Sequence, residues 1–378
     1  MRLITWILLF ICFVFSDSIA QTLTFEEYEP PSTLVVPENF RYQSKYPFID
    51  VHNHQFEMPT QDLKYLTKQM DSLNMAVMVN LSGRGFKREQ NKDGSFRFGL
   101  QDGSYLKGAI ENARKNVPGR LMVFTNVNFG GIDEPTWSAE AVRQLEEDVK
   151  NGACGLKIYK NLGMTFKDSS GNIIAVDDPR IDPIWKKAGE LGIPVLIHSA
   201  DPFQFWQPWD KNNERWLELK ERPDRKRDSS KEPSFESIIA AQHRVFKKHP
   251  KTIFINAHLG WMGNDLAKFG KLMDSLPNMY TEIGAVLAEI GRQPRQAREW
   301  FIKYQDRVLF GKDSWNPQEY STYFRVLETN DEYFDYYRRR HAYWKMYGLG
   351  LPDDVLKKLY YKNALRIIPG IDKSLFPK

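Results

Sequence analysis

The stretch Phe48-Ile49-Asp50-Val51-His52-Asn53-His54 carries two signals at once. Its first half is a short apolar run broken by one acid, the mark of a strand buried on both faces. Its second half sets two imidazoles two residues apart, and side chains with that spacing on an extended strand point to one side. Both can grip one ion from the same wall, because neutral imidazole is a good ligand for zinc and similar divalent ions. Taken alone, a His-x-His pair is weak evidence and arises by chance.

Working outward, the same kind of run recurs. Candidate strands follow at Met75 to Asn80, Leu121 to Val127, Gly155 to Tyr159, Ile193 to His198, Thr252 to His258, Asn278 to Ile283 and Val308 to Asp313. Between them lie amphipathic stretches. Ala139 to Lys150 carries Ala141, Val142, Leu145 and Val149, Ile181 to Leu191 ends at Gly192, and Phe235 to His249 ends at Pro250. Eight strands alternating with helices predict an α/β fold, a (β/α)8 TIM barrel over 46–378, with an N-terminal arm at 21–45 and loop insertions. A doubly wound open sheet is the alternative.

Seven histidines are present, and four of them (His52, His54, His198 and His258) fall at predicted strand ends, as does Asp313. In a barrel those ends converge at the C-terminal mouth, where active sites are built. Convergence there makes the group far more specific than any member. A lone histidine at a strand end is more often a hydrogen-bonded core residue, and His243, His249 and His341 are read as structural. Asn80, Arg84 and Glu282 also follow strands. The sequence assigns no role to Asn80 or Glu282.

These stretches together resemble the amidohydrolase superfamily, in particular the amidohydrolase-2 branch related to aminocarboxymuconate-semialdehyde decarboxylase. Phe48 to His54 resembles the superfamily's opening strand, and the branch is resembled by Asp178-Pro179-Arg180-Ile181-Asp182-Pro183, Gly192-Ile193-Pro194-Val195-Leu196-Ile197-His198, Ala257-His258-Leu259-Gly260, Leu309-Phe310-Gly311-Lys312-Asp313 and Tyr360-Tyr361-Lys362-Asn363-Ala364-Leu365. The resemblance implies one divalent ion, usually zinc, held by His52, His54, His198 and Asp313. It implies His258 as general acid/base or carbonyl polariser, with Asp313 also handling the water. A divalent ion lowers the pKa of bound water toward neutrality, and histidine titrates near neutral pH. Lys312 departs from the Ser or Thr often found before the last Asp. Lys157 sits on the strand where two-metal members carry a bridging carboxylated lysine. It is read first as a substrate contact, with bridging of a second ion or a buried ion pair as alternatives.

The implied activity is hydrolysis of an ester, lactone or amide of a small molecule. Nonoxidative decarboxylation of an unsaturated or aromatic acid is the alternative, with Lys157, Lys160 and Arg84 as carboxylate seats. A noncatalytic binding protein on the same scaffold is the third reading, because fold alone licenses no activity. Two long connections follow strands and would lie at the active-site face. Lys87 to Tyr105 is rich in glycine and charge, and Asp201 to Lys231 opens on Phe203, Phe205, Trp206 and Trp209. Arg84, Phe203 and Trp206 are the expected pocket residues, with simple packing at the rim as the alternative for the aromatics.

The first twenty residues differ in kind. Arg2 precedes the apolar run Ile4 to Phe15, and Ser18-Ile19-Ala20 offers a cleavage site that would leave Gln21 first. That run is too short to span a membrane, so a secretory leader and a periplasmic or extracellular protein without a stable membrane anchor are expected. An uncleaved anchor is the alternative. Of the two cysteines, Cys12 lies in this run, so cleavage would leave Cys154 without an intramolecular disulfide partner. The formal net charge of +5 and the lack of a long basic block argue against nucleic acid. Lys220 to Arg227 and Arg338-Arg339-Arg340 are read as solvated faces. Tyr333 to Tyr347 is read either as a homo-oligomer contact or as core packing.

Overall fold

The computed structural model describes residues 23–90, 96–100 and 103–377. The proposed leader lies outside them. The chain divides into the units Met1–Val35 and Val36–Lys378. Of the first unit, 23–35 is a turn at 25–27 followed by irregular, largely exposed backbone.

The second unit is a (β/α)8 barrel. Its strands are β1 (Phe48–Asn53), β2 (Met75–Asn80), β3 (Leu121–Val123 and Thr125–Asn126), β4 (Leu156–Ile158), β5 (Val195–Ile197), β6 (Phe254–Asn256), β7 (Met279–Glu282) and β8 (Val308–Leu309). Each pairs in parallel with the next. The order is sequential throughout, without the reversal a doubly wound sheet requires. Strand β3 changes neighbours at Phe124, whose N–H donates to the Asn80 carbonyl at 3.0 Å while the Thr125 N–H donates to Gly155 at 2.8 Å. At the seam between β8 and β1, the Val51 N–H reaches the Phe310 carbonyl at 3.0 Å and the Asp313 N–H reaches the His52 carbonyl at 2.6 Å. Rings from Phe48 and Phe310, with centroids 4.7 Å apart, seal that seam edge to face.

Strand-forming runs here are apolar because both faces are covered: every residue of β1 is buried. The helices follow from their caps and their apolar faces. Helix α1 (Leu63–Ser72) begins where the Asp62 side chain accepts from the Tyr65 N–H, and α2 spans Ser104–Asn116. Then come α3 (Trp137–Lys150), α4 (Asp182–Glu190) and α5 (Phe235–Lys248). Helix α5 is capped by Ser234 and buries Ile238, Ile239, Val245 and Phe246. The set closes with α6 (Leu266–Ser275), α7 (Pro294–Tyr304) and α8 (Tyr320–Glu328).

Three connections take on definite structure. The segment beginning at Lys87 is not irregular, because Phe86–Gln90 and Phe96–Leu100 pair as an antiparallel hairpin. Tyr333 to Tyr347 folds back on the barrel. Met346 is fully buried, Tyr337 packs on Tyr323 with centroids 6.1 Å apart, and Arg292 lies 4.0 Å over the Trp344 ring. Within the second unit, residues 36–45 are tied down, since Asn39 donates twice to Asp331, at 2.6 and 2.7 Å.

Candidate metal centre

The C-terminal ends of the strands bring together His52 from β1, His54 just after it, Lys157 from β4, His198 after β5, His258 after β6, Glu282 from β7 and Asp313 after β8. Ligand atoms of His52, His54 and Asp313 all lie within 4.8 Å of one another. His52 Nε2 is 3.2 Å from Asp313 Oδ1, and His54 Nε2 is 3.8 Å from the same oxygen. Backbone strain is concentrated here. His258 and Asp313 hold φ of 58° and 82°, left-handed values that non-glycine residues avoid unless their surroundings impose them. Gly311 lets β8 approach, because a Cβ there would lie 2.9 Å from the His52 Cβ and 2.6 Å from Glu282 Oε2.

Hydrogen bonding fixes which ring nitrogens are free. Glu282 Oε1 faces His52 Nδ1 at 3.0 Å, so that nitrogen carries a proton. Burial and Lys157 would lower this ring, but Glu282 and Asp313 outweigh them and raise it, so Nε2 would offer its lone pair where an ion takes the place of a second proton. The Gly284 carbonyl faces His258 Nδ1 at 2.7 Å, which makes that nitrogen a donor. Neutral His258 then accepts at Nε2 from His198 Nδ1, 3.3 Å away. His198 Nε2 is therefore left as a bare lone pair, buried and without a hydrogen-bond partner. Burial pushes His54 down to about 3 and His198 well below its ordinary value, so both rings are neutral. Neutral imidazoles beside a carboxylate are a donor set that fits a divalent ion. Lys157 is buried, with its Nζ 3.4 Å from His52 Nε2. Burial pushes its amine down to about 8 against the pull of Asp313 and Glu282.

Above the cluster opens a cavity of roughly 150 Å³, a size known to admit a benzene-scale ligand. Asp313 and His198 reach its floor, and Phe205, Trp261 and Tyr336 supply aromatic wall. Apart from Pro202, Ala285 and Ala288, the rest carries titratable side chains, with Lys160, Arg215, Arg225, Arg338 and His341 set against Asp201 and Glu218.

An amidohydrolase family model, Amidohydro_2, matches residues 111–370, more than half of the chain. The chain belongs to the amidohydrolase family. The match begins after β2, so His52 and His54 stand on geometry rather than on it. No curated protein matches the chain. Among solved structures, 2,6-dihydroxybenzoate decarboxylase from Rhizobium is similar at 14% identity and a TM-score of 0.51, covering 85% of this chain and 98% of that one. A dihydroxybenzoic acid decarboxylase from Polaromonas sp. JS666, with bound manganese and the inhibitor 2-nitroresorcinol, gives 13% and 0.52 over 85% and 96%. 4-Oxalomesaconate hydratase from Rhodopseudomonas palustris gives 13% and 0.50 over 87% and 97%. At such identities the likeness speaks for the barrel alone.

Several sequence expectations fall elsewhere in this amidohydrolase. Arg84 is not a pocket residue. Its guanidinium is held by both oxygens of Asp148 in α3 at 2.9 Å, and Asp148 also accepts from Thr125 at 2.6 Å. Arg84→Ala is expected to cost about 3 kcal/mol of stability, as removal of one partner from a largely buried pair does, with metal content unchanged. Urea unfolding beside metal analysis checks it. Phe203 and Trp206 do not line the cavity either. A 3-10 turn over Phe203–Phe205 places residues three apart on one face, so both rings pack on Phe235, at 6.2 and 5.8 Å, while Phe205 turns inward. Lys157 does not line the cavity and lies against His52, which speaks against direct substrate contact. His258 is fully buried, with both ring nitrogens engaged. His249 pairs with Asp182, as a structural residue would. His341, by contrast, faces the cavity, as do Arg225 and Arg338 from the runs read as solvated. Sequence reasoning missed those three and Glu282. Position was a signal for Glu282, which ends β7, and for Arg225, in the connection after β5; Arg338 and His341 come after α8 and carried none.

Proposed function

We propose that this amidohydrolase is an exported enzyme that uses one bound zinc ion to hydrolyse an ester, lactone or amide of a small molecule. The observation that carries the reading is the convergence of His52, His54 and Asp313 donor atoms within 4.8 Å beneath a small cavity that Asp313 itself lines. When bound, the ion supplies acidified water and a Lewis acid for the scissile carbonyl. Zinc is chosen because it favours nitrogen and carboxylate donors in low coordination.

His52, His54 and Asp313 would hold the ion, and His198 Nε2, outside that group of donor atoms, is a further unpartnered lone pair. Glu282 and the Gly284 carbonyl fix the two rings behind them, His52 and His258, and His258 in turn fixes His198. Asp313 is the group placed to take a proton from water on the cavity floor and return it to the leaving group. His258 acts through His198 rather than on the substrate. Phe205, Trp261 and Tyr336 exclude bulk water from the reacting bond.

The cationic wall favours a second reading, nonoxidative decarboxylation of a small unsaturated or aromatic acid. The experiment is metal stoichiometry of the purified protein, followed by a panel of esters, lactones and amides beside acids scored for carbon dioxide release. Hydrolysis that rises with metal occupancy supports the proposal. Carbon dioxide release without hydrolysis moves the assignment to the second reading. Failure to take up zinc or manganese sinks both. Export is tested separately by cell fractionation and N-terminal sequencing, where a cytosolic chain still beginning at Met1 would overturn it.

A further inference from the structure

The charges around the cavity are unevenly matched. On one side, Asp201 is saturated by Lys160 at 2.6 Å and by Arg227. On the other, the single carboxylate of Glu218 serves Arg215 at 2.7 Å, Arg225, and His341 at 3.6 Å. Arg215 also leans on Glu289 at 3.1 Å, which Arg292 already holds at 2.7 Å. Among the described residues of this wall, Arg338 is the least matched. Its nearest carboxylate, Glu319, is 3.9 Å away and is engaged by the buried Lys312. Otherwise its guanidinium meets the Ser314 hydroxyl at 3.0 Å and the Tyr337 ring at 5.5 Å. The side chain is 28% exposed, so it is withdrawn from bulk water without gaining a close carboxylate in exchange. A turn closed by the His341 N–H on the Arg338 carbonyl, at 3.3 Å, ties the two cavity-lining residues together.

A guanidinium so placed is a ready acceptor for a carboxylate, which it can meet with two parallel N–H donors. We propose that Arg338, with Arg225 and His341 beside it, forms a carboxylate subsite in the cavity wall, so that the substrate is a small organic acid held by its carboxylate while the bond to be broken lies over Asp313. The inference deepens the proposed metal-dependent reaction and rests on it for the reacting end only. The subsite itself stands on the charge pattern of the 333–347 segment. Carboxylate is favoured over phosphate because one loosely held guanidinium answers one planar anion, and the remaining cations are shared with Glu218 and Asp201.

The test is calorimetric binding of benzoate, its neutral analogue benzamide and inorganic phosphate to the metal-loaded protein, to chelator-treated protein and to the variants Arg338→Gln and Arg338→Lys. Benzoate should bind with and without metal, at least about tenfold tighter than benzamide, and Arg338→Gln should weaken benzoate by about tenfold or more. Benzamide binding, metal content and melting temperature should be unmoved by Arg338→Gln, and Arg338→Lys should fall between. Benzoate binding that requires metal and ignores Arg338→Gln would place the carboxylate on the ion and overturn the subsite. Equal affinity for benzamide, tighter binding of phosphate, or no benzoate binding would overturn it too. A protein that binds benzoate through Arg338 but takes up no metal would keep the subsite and lose the proposed reaction.

Discussion

His52→Ala is expected to leave the protein essentially metal-free as purified and to abolish turnover. His52 is the hinge of the cluster, with Nε2 3.2 Å from Asp313 and Nδ1 3.0 Å from Glu282. Its loss removes a ligand and takes one of three donors from the buried carboxylate of Glu282 at the same time. The effect should therefore exceed the roughly 10- to 100-fold seen when only an outer partner of a metal ligand is changed. His54→Ala separates the two consequences. His54 is partly exposed, and among the described residues its other ring nitrogen meets the Ser82 hydroxyl alone, at 3.4 Å. That variant should lose metal while keeping its melting temperature, whereas His52→Ala should lose both. Elemental analysis and thermal unfolding of the two proteins side by side decide it. Full occupancy in either variant would remove that histidine from the ligand set.

The barrel was legible because its strands are enclosed by helices, so burial on both faces leaves unbroken apolar runs such as Met75 to Asn80 and Ile193 to His198. The donors were legible for a related reason: histidine is scarce here, and a polar ring at the end of an apolar strand is conspicuous. Lone charged residues gave no such contrast. Glu282 ends β7 as visibly as Asp313 follows β8, yet a buried acid that orients two imidazoles reads no differently from one that caps a loop. Arg225 and Arg338 sit in charged runs, and sequence alone does not show which member of a run is turned inward by the fold of its loop. Arg84 erred in the opposite sense. It follows β2 toward the mouth, but Asp148, on the far side of the sequence in α3, captures it. In each case the deciding partner is distant along the chain, which is information that spacing does not carry.

Glu282→Gln is expected to weaken metal binding by about 10- to 100-fold and to lower stability by about 1–3 kcal/mol. Glu282 is fully buried. Its Oε1 accepts from His52 Nδ1 at 3.0 Å and from the His258 N–H at 2.7 Å, and its Oε2 accepts from the Gly284 N–H. Burial alone would raise its carboxyl, but His52, His258 and these hydrogen bonds outweigh that and hold it down at about 2. It is therefore an acceptor at both oxygens. An amide of the same shape has one oxygen and one NH2 group, so at least one of the three donors must face another donor. If the NH2 turns toward His52, that ring loses the contact that keeps its proton on Nδ1, and the alternative tautomer blocks Nε2 as a ligand. A chelator competition series reads the metal affinity, and thermal unfolding of the metal-free protein reads the stability. A variant that is less stable yet binds metal as tightly as before would make Glu282 a purely structural acid. A loss of affinity larger than the loss of stability accounts for identifies it as the residue that holds His52 in its ligating form.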